Sequence, residues 1–82
     1  METFIHSEKK ENVTDSFSVT CGFEPSEVQI LGDDGLVLSW NRALGNALWS
    51  ADGLTGGISL NSRGFAVSAD FDDETLYITA RR

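Results

Sequence analysis

Apolar and polar residues alternate along most of this chain, and the alternation sets out its strands. Phe17, Val19 and Cys21 fall on one side and Ser16, Ser18 and Thr20 on the other, the period of two of a strand with one buried face. Gly22 ends that run. Phe23-Glu24-Pro25-Ser26 then makes a corner, where Pro25 fixes φ and removes a ladder donor. Val28-Gln29-Ile30-Leu31 and Leu36-Val37-Leu38-Ser39-Trp40 resume the pattern, and Gly32-Asp33-Asp34-Gly35 between them suits a hairpin loop. Asn41 to Asn46 reads as one turn of helix or a loop. Ala47-Leu48-Trp49-Ser50 and Ile58-Ser59-Leu60 are shorter strands, joined through the flexible Leu54-Thr55-Gly56-Gly57. Finally, Phe65, Val67 and Ala69 alternate before the acidic segment Asp70-Phe71-Asp72-Asp73-Glu74, and Leu76, Ile78 and Ala80 alternate after it, so the pair predicts a terminal hairpin with an acidic turn.

No segment carries a helical stripe. The pattern predicts an all-β fold: a small antiparallel β-sandwich or barrel of about six to seven short strands over residues 15–82, with an extended N-terminal arm over residues 1–14. That arm is polar, with Glu8-Lys9-Lys10-Glu11-Asn12 at its centre and Phe4-Ile5 as its apolar pair. A segment that cannot bury itself gains order by lying on something else or by joining its own sheet. The first of these makes the arm a candidate docking element. Asn12-Val13-Thr14 matches a glycosylation acceptor and reads here as a plain loop.

Length makes a partner attractive. Surface scaling for 8.9 kDa gives roughly 4,800 Å² folded against about 12,900 Å² unfolded. Apolar burial then contributes on the order of 120 kcal/mol, and the conformational entropy lost is about as large. The single cysteine, Cys21, excludes an intrachain disulfide, and one His with one Cys cannot build a structural zinc site. A homo-oligomer or an obligate docking surface is the remaining support.

Charge narrows the partner. The net charge of −7 and the scattering of the six basic residues over Lys9, Lys10, Arg42, Arg63, Arg81 and Arg82 argue against nucleic acid. A membrane is also not expected, since no apolar run spans a bilayer and the first residues lack the basic start and apolar stretch of a signal peptide. The chain is expected to be made and used without secretion.

Candidate chemistry is sparse. Asp70, Asp72 and Glu74 have the alternate spacing of calcium ligands, but Thr75 stands where such a loop needs Gly and Arg82 where it needs Glu; the segment reads as a solvated turn. His6 has no carboxylate or thiol placed beside it by the sequence and reads as a surface or contact residue. Cys21 closes an apolar strand face and reads as an inert thiol. The glycines at 53, 56, 57 and 64 form no phosphate cradle, because no strand-to-helix pattern or Lys accompanies them. Neither an enzyme nor a cofactor or metal is expected. Trp40, Trp49, Phe71 and Tyr77 read as core or subunit-interface aromatics, with a carbohydrate- or protein-binding platform of Trp40, Trp49 and Tyr77 as the alternative.

One further pattern covers about three-quarters of the chain. Gly22-Phe23-Glu24-Pro25 leads into Val28 and Ile30, then Leu38 with Trp40, Gly57-Ile58, Gly64-Phe65-Ala66-Val67, and Leu76 through Ala80. This order resembles a class of small tailed-bacteriophage virion proteins: capsid decoration or cement subunits, head fibres and tail β domains. The resemblance implies a non-catalytic structural protein of the virion, assembled in the host bacterial cytoplasm and bound to the major capsid protein or another virion protein. No long stalk precedes the β domain, which favours a decoration protein over a fibre tip and leaves a tail or connector role open. A homotrimer is expected because capsid lattices offer three-fold sites. The expected partner contacts are Phe4, Ile5, His6, Lys9, Lys10, Leu48 and Trp49.

Overall fold

Eight strands build the described part of the protein, a computed structural model that describes residues 5–50, 56–71 and 73–82. They are β1 (Ile5–Val13), β2 (Phe17–Thr20), β3 (Glu27–Gly32), β4 (Val37–Asn41), β5 (Ala47–Ser50), β6 (Gly56–Asn61), β7 (Gly64–Ser68) and β8 (Glu74–Arg81), with a 3-10 turn at Arg42–Leu44 between β4 and β5. The strand order is β1-β8-β3-β4-β5-β6-β7-β2, and every pairing is antiparallel. The sheet curls into a nearly closed barrel with β1 and β2 at its two edges.

The antiparallel all-β class therefore holds, with eight strands in place of six to seven. The additional strand comes from the polar N-terminus. Residues 5–13, expected within an extended arm, form β1 against β8, from Ile5 opposite Arg81 to Val13 opposite Glu74. Asn12 and Val13 of the arm's glycosylation-like triplet end this strand, and Thr14 follows it: the register shifts between Lys10 and Val13, and Asn12 takes a φ of 57° there. Backbone pairing made β1 a strand although its side chains offer almost no apolar alternation.

The terminal hairpin is also corrected. β7 pairs with β6 and β2, whereas β8 pairs with β3 and β1. Each strand has the predicted inward face, with Phe65 and Val67 buried on β7 and Leu76, Ile78 and Ala80 buried on β8. The connection from β7 to β8, of which Asp72 lies outside the described residues, thus joins non-neighbouring strands at one mouth of the barrel, and Phe71 within it is buried as a plug. At the other mouth the β2–β3 connection crosses in the same way and buries Phe23 and Pro25.

The interior is filled. Inward residues from all the strands but β1 meet in one cluster, including Val19, Ile30, Leu38, Trp40, Ile58, Phe65 and Leu76, with Val13 closing it from the end of β1. The accessible surface of 4918 Å² agrees with the scaling expectation for this mass. Packing is closest at Gly64, where an added Cβ would stand 2.0 Å from the Val19 carbonyl oxygen. Only a residue without a side chain lets β7 approach β2 there.

A candidate docking face and a polar seam

Odd-numbered residues of β1 up to Lys9, and of β3, β4, β5 and β8, point outward. Their registers place Lys9 opposite Tyr77, Tyr77 opposite Leu31, and Leu31 opposite Val37. Trp49 lies across from Ser39, two residues along β4 from Val37. Bulky side chains therefore run obliquely across four neighbouring strands on the outside of the barrel. Trp49 is 57% exposed, Tyr77 47% and Leu31 43%. Scattered exposed apolar residues are ordinary, but a contiguous row of them marks an interaction surface.

Lys9 flanks the row. Its ammonium lies 5.9 Å from the Tyr77 ring centroid and 3.1 Å from Glu11 Oε1. The Glu11 carboxylate holds the Lys9 pKa above its ordinary value. This cation over an aromatic face leaves one end of the row polar and the Trp49 end apolar.

The inward side of β1 differs. His6, Glu8 and Lys10 stand opposite the core residues Ala80, Ile78 and Leu76 and so face the barrel interior at its open edge. They are half-buried and joined to one another. His6 Nε2 is 2.8 Å from Glu8 Oε1, and Lys10 Nζ is 3.5 Å from Glu8 Oε2. The His6 hydrogen bond, with the proton on Nε2, and the Lys10 charge hold the Glu8 pKa below its ordinary value against the opposing effect of burial. Lys10 also reaches across the seam, with Nζ 5.8 Å from the Phe17 ring centroid on β2. Phe17 in turn packs on Phe71 with ring centroids 5.7 Å apart, and Phe71 N–H donates to the Thr14 carbonyl at 3.3 Å. The two edges are thus joined by side chains and a plug, without a strand ladder.

That arrangement protects the edge. Inward charges on an edge strand disfavour the apolar stacking that a further strand would need. His6 accordingly has a positioned carboxylate, contrary to the sequence reading, and the pair lies at the seam.

The expected contact residues divide sharply. Trp49 and Lys9 lie on or beside the outward row, and Ile5 is exposed. Leu48 is corrected to the core, buried on the inward face of β5. His6 and Lys10 belong to the seam, and Phe4 lies outside the described residues. Trp40 is buried, with its indole N–H donated to the Gly45 carbonyl, so a three-ring platform of Trp40, Trp49 and Tyr77 does not form. Sequence reading missed Leu31 and Val37 as outward residues. Parity would have found them: with Val28, Ile30, Leu38 and Trp40 inside, Leu31 and Val37 must face out.

Cys21 is half-buried beside the core, its thiol 3.2 Å from the Phe23 carbonyl oxygen. Among the described residues no three His, Cys, Asp or Glu are grouped as metal ligands. No family model matches the chain, and neither a curated protein nor a solved structure matches it.

Proposed function

We propose that the protein is a non-catalytic structural component of a tailed-phage virion, a capsid decoration protein that docks on the head shell and stabilises it. The observation that supports docking is the outward row of Tyr77, Leu31, Val37 and Trp49, bulky and apolar on a wall of paired strands. The resemblance in the order of the Gly-Phe-x-Pro, Leu-x-Trp and Gly-Phe-x-Val elements supplies the class of partner. Docking of this kind is a stability contribution, because only the folded form presents the row. The proposal places the chain on the virion after assembly in the bacterial cytoplasm, as a trimer at a three-fold lattice position, with the major capsid protein under the Trp49 end of the row.

Of the two contact regions expected, the N-terminal segment and the surroundings of Trp49, the proposal keeps the second, on the barrel wall. β1 contributes Lys9 to the rim of that surface and gives its remaining length to the barrel itself. Co-sedimentation with purified phage heads and, separately, purified tails tests the proposal. The expected result is saturable binding to heads, lost in a Trp49→Ala/Tyr77→Ala double variant that retains the β-sheet circular dichroism of the parent. Binding to tails alone would move the protein to the tail, and binding to neither would end the virion assignment.

A further inference from the structure

The barrel is electrically polarised from one mouth to the other. Strands alternate in direction from β1 to β8, so successive loops emerge at alternate ends. Asp15, Asp33, Asp34, Asp70, Asp73 and the start of β8 at Glu74 gather at one end, with no Lys, Arg or His in the described parts of those loops. All four arginines, Arg42, Arg63, Arg81 and Arg82, gather at the other. Among the described residues the acidic side chains there are Glu24 and Glu27, which pair with Arg42 and Arg81 at 3.5 and 3.6 Å.

The two ends also differ in shape. Between the β2–β3 crossover and the β4–β5 turn, the arginine end holds a recess of about 400 Å³ lined by Gly22, Phe23, Glu24, Arg42, Ser62 and Arg82. The acidic end projects the β3–β4 loop, whose backbone is fixed by Gly32 N–H to the Leu36 carbonyl at 2.7 Å and Asp33 N–H to the Thr75 carbonyl at 3.1 Å. Asp33 and Asp34 are exposed on that loop, and Asp73 is exposed beside it in the β7–β8 connection, two residues before Thr75.

We infer that copies of this chain associate end to end, the acidic β3–β4 tip of one copy seated in the arginine-lined recess of the next. The overall charge of −7 does not forbid it. The eight residues of β8 separate the ends by roughly 26 Å at the usual strand rise, beyond a Debye length of about 8 Å at physiological ionic strength. Each contact therefore responds to the charges at that contact. Two different surfaces meet, so the association is heterologous and propagates into a ring or a row instead of stopping at a two-fold dimer. It uses neither Trp49 nor Tyr77, and leaves the docking face of the wall open.

Sedimentation velocity on the full chain at about 50 mM salt, where surface electrostatics are still felt, tests the inference. The expected result is a weight-average mass that grows with concentration past the dimer and returns to the monomer at about 1 M salt. Arg42→Glu/Arg82→Glu and Asp33→Lys/Asp73→Lys variants, each folded by circular dichroism, are expected to lose self-association by at least about tenfold. Mixing the two is expected to restore it, since each then offers what the other lacks. A wild-type monomer at every concentration, association unchanged by both reversals, or no association on mixing would each overturn the inference. Loss of association through Trp49→Ala alone would also count against it, and would point to the wall.

Discussion

Two halves of the barrel wall bear similar backbone ladders and opposite outer surfaces. Outside β8, β3, β4 and β5 stand Tyr77, Leu31, Val37 and Trp49; outside β2, β7 and β6 stand Ser18, Ala66, Ser68 and Ser59, around a shallow trough. Both halves bury the same kind of residue inside. Core burial therefore fixes only every second position, and the outward positions are free to differ. The serine and alanine half spends that freedom on close strand approach and solvation, while the bulky half keeps apolar area in water that the fold does not need. That exposed apolar area is the ground of the docking proposal.

The comparison breaks most readily on the small-residue half. Gly64→Ala places a Cβ against the Val19 backbone, and β2 must move away from β7 to admit it. The expected loss is more than about 3 kcal/mol, seen as a large fall in the urea midpoint or as failure to fold. Next come neighbours on opposite faces of one strand. Leu76→Ala, in the core, is expected to cost about 2–5 kcal/mol, whereas Tyr77→Ala, adjacent and half-exposed, is expected to cost under about 1 kcal/mol while weakening docking. Equal losses in chemical denaturation would mean that the outer row is structural.

Adding bulk sharpens the contrast. Ser59→Trp is expected to shift stability by no more than about 0.5 kcal/mol and to leave head binding unchanged, since position and not aromatic content defines the docking row. The smallest effect belongs to the seam. Glu8 has a lowered pKa in the folded protein, so its contribution is present above the ordinary glutamate pKa of about 4.3 and is lost as pH falls through the lower folded value. Glu8→Gln should flatten the acid limb of the stability profile by less than about 1 kcal/mol; an unchanged limb would show that the His6–Glu8–Lys10 cluster adds nothing to the closed edge.

What sequence alone revealed was local. Alternation located β2, β3, β4, β5, β7, the Ile58-Ser59-Leu60 centre of β6 and the inward face of β8; Gly56 and Gly57, read as a flexible link, open β6, and the β3–β4 hairpin formed where Gly32-Asp33-Asp34-Gly35 predicted it. Pairing between distant strands was not legible, because Phe65-Ala66-Val67 and Leu76-Tyr77-Ile78 read the same whether they face each other or opposite walls. β1 escaped notice since its inward positions are His6, Glu8 and Lys10 and its outward ones Ser7 and Lys9; its strand character comes from β8's ladder. Of the docking face, Trp49 and Tyr77 were picked out as aromatics. Leu31 and Val37, and the row that all four form, needed the registers that bring four strands side by side.

The place of β8 has a consequence for the birth of the molecule. It is the last strand in chain order, yet it lies between β1 and β3, joining residues as far apart as Ile5 and Arg81. During translation the meander from β3 to β7 can pair as it emerges, but β1 has no neighbour to hold it until the final strand leaves the ribosome. Closure of β1 onto β8 is consequently a late event that joins strands far apart in the chain.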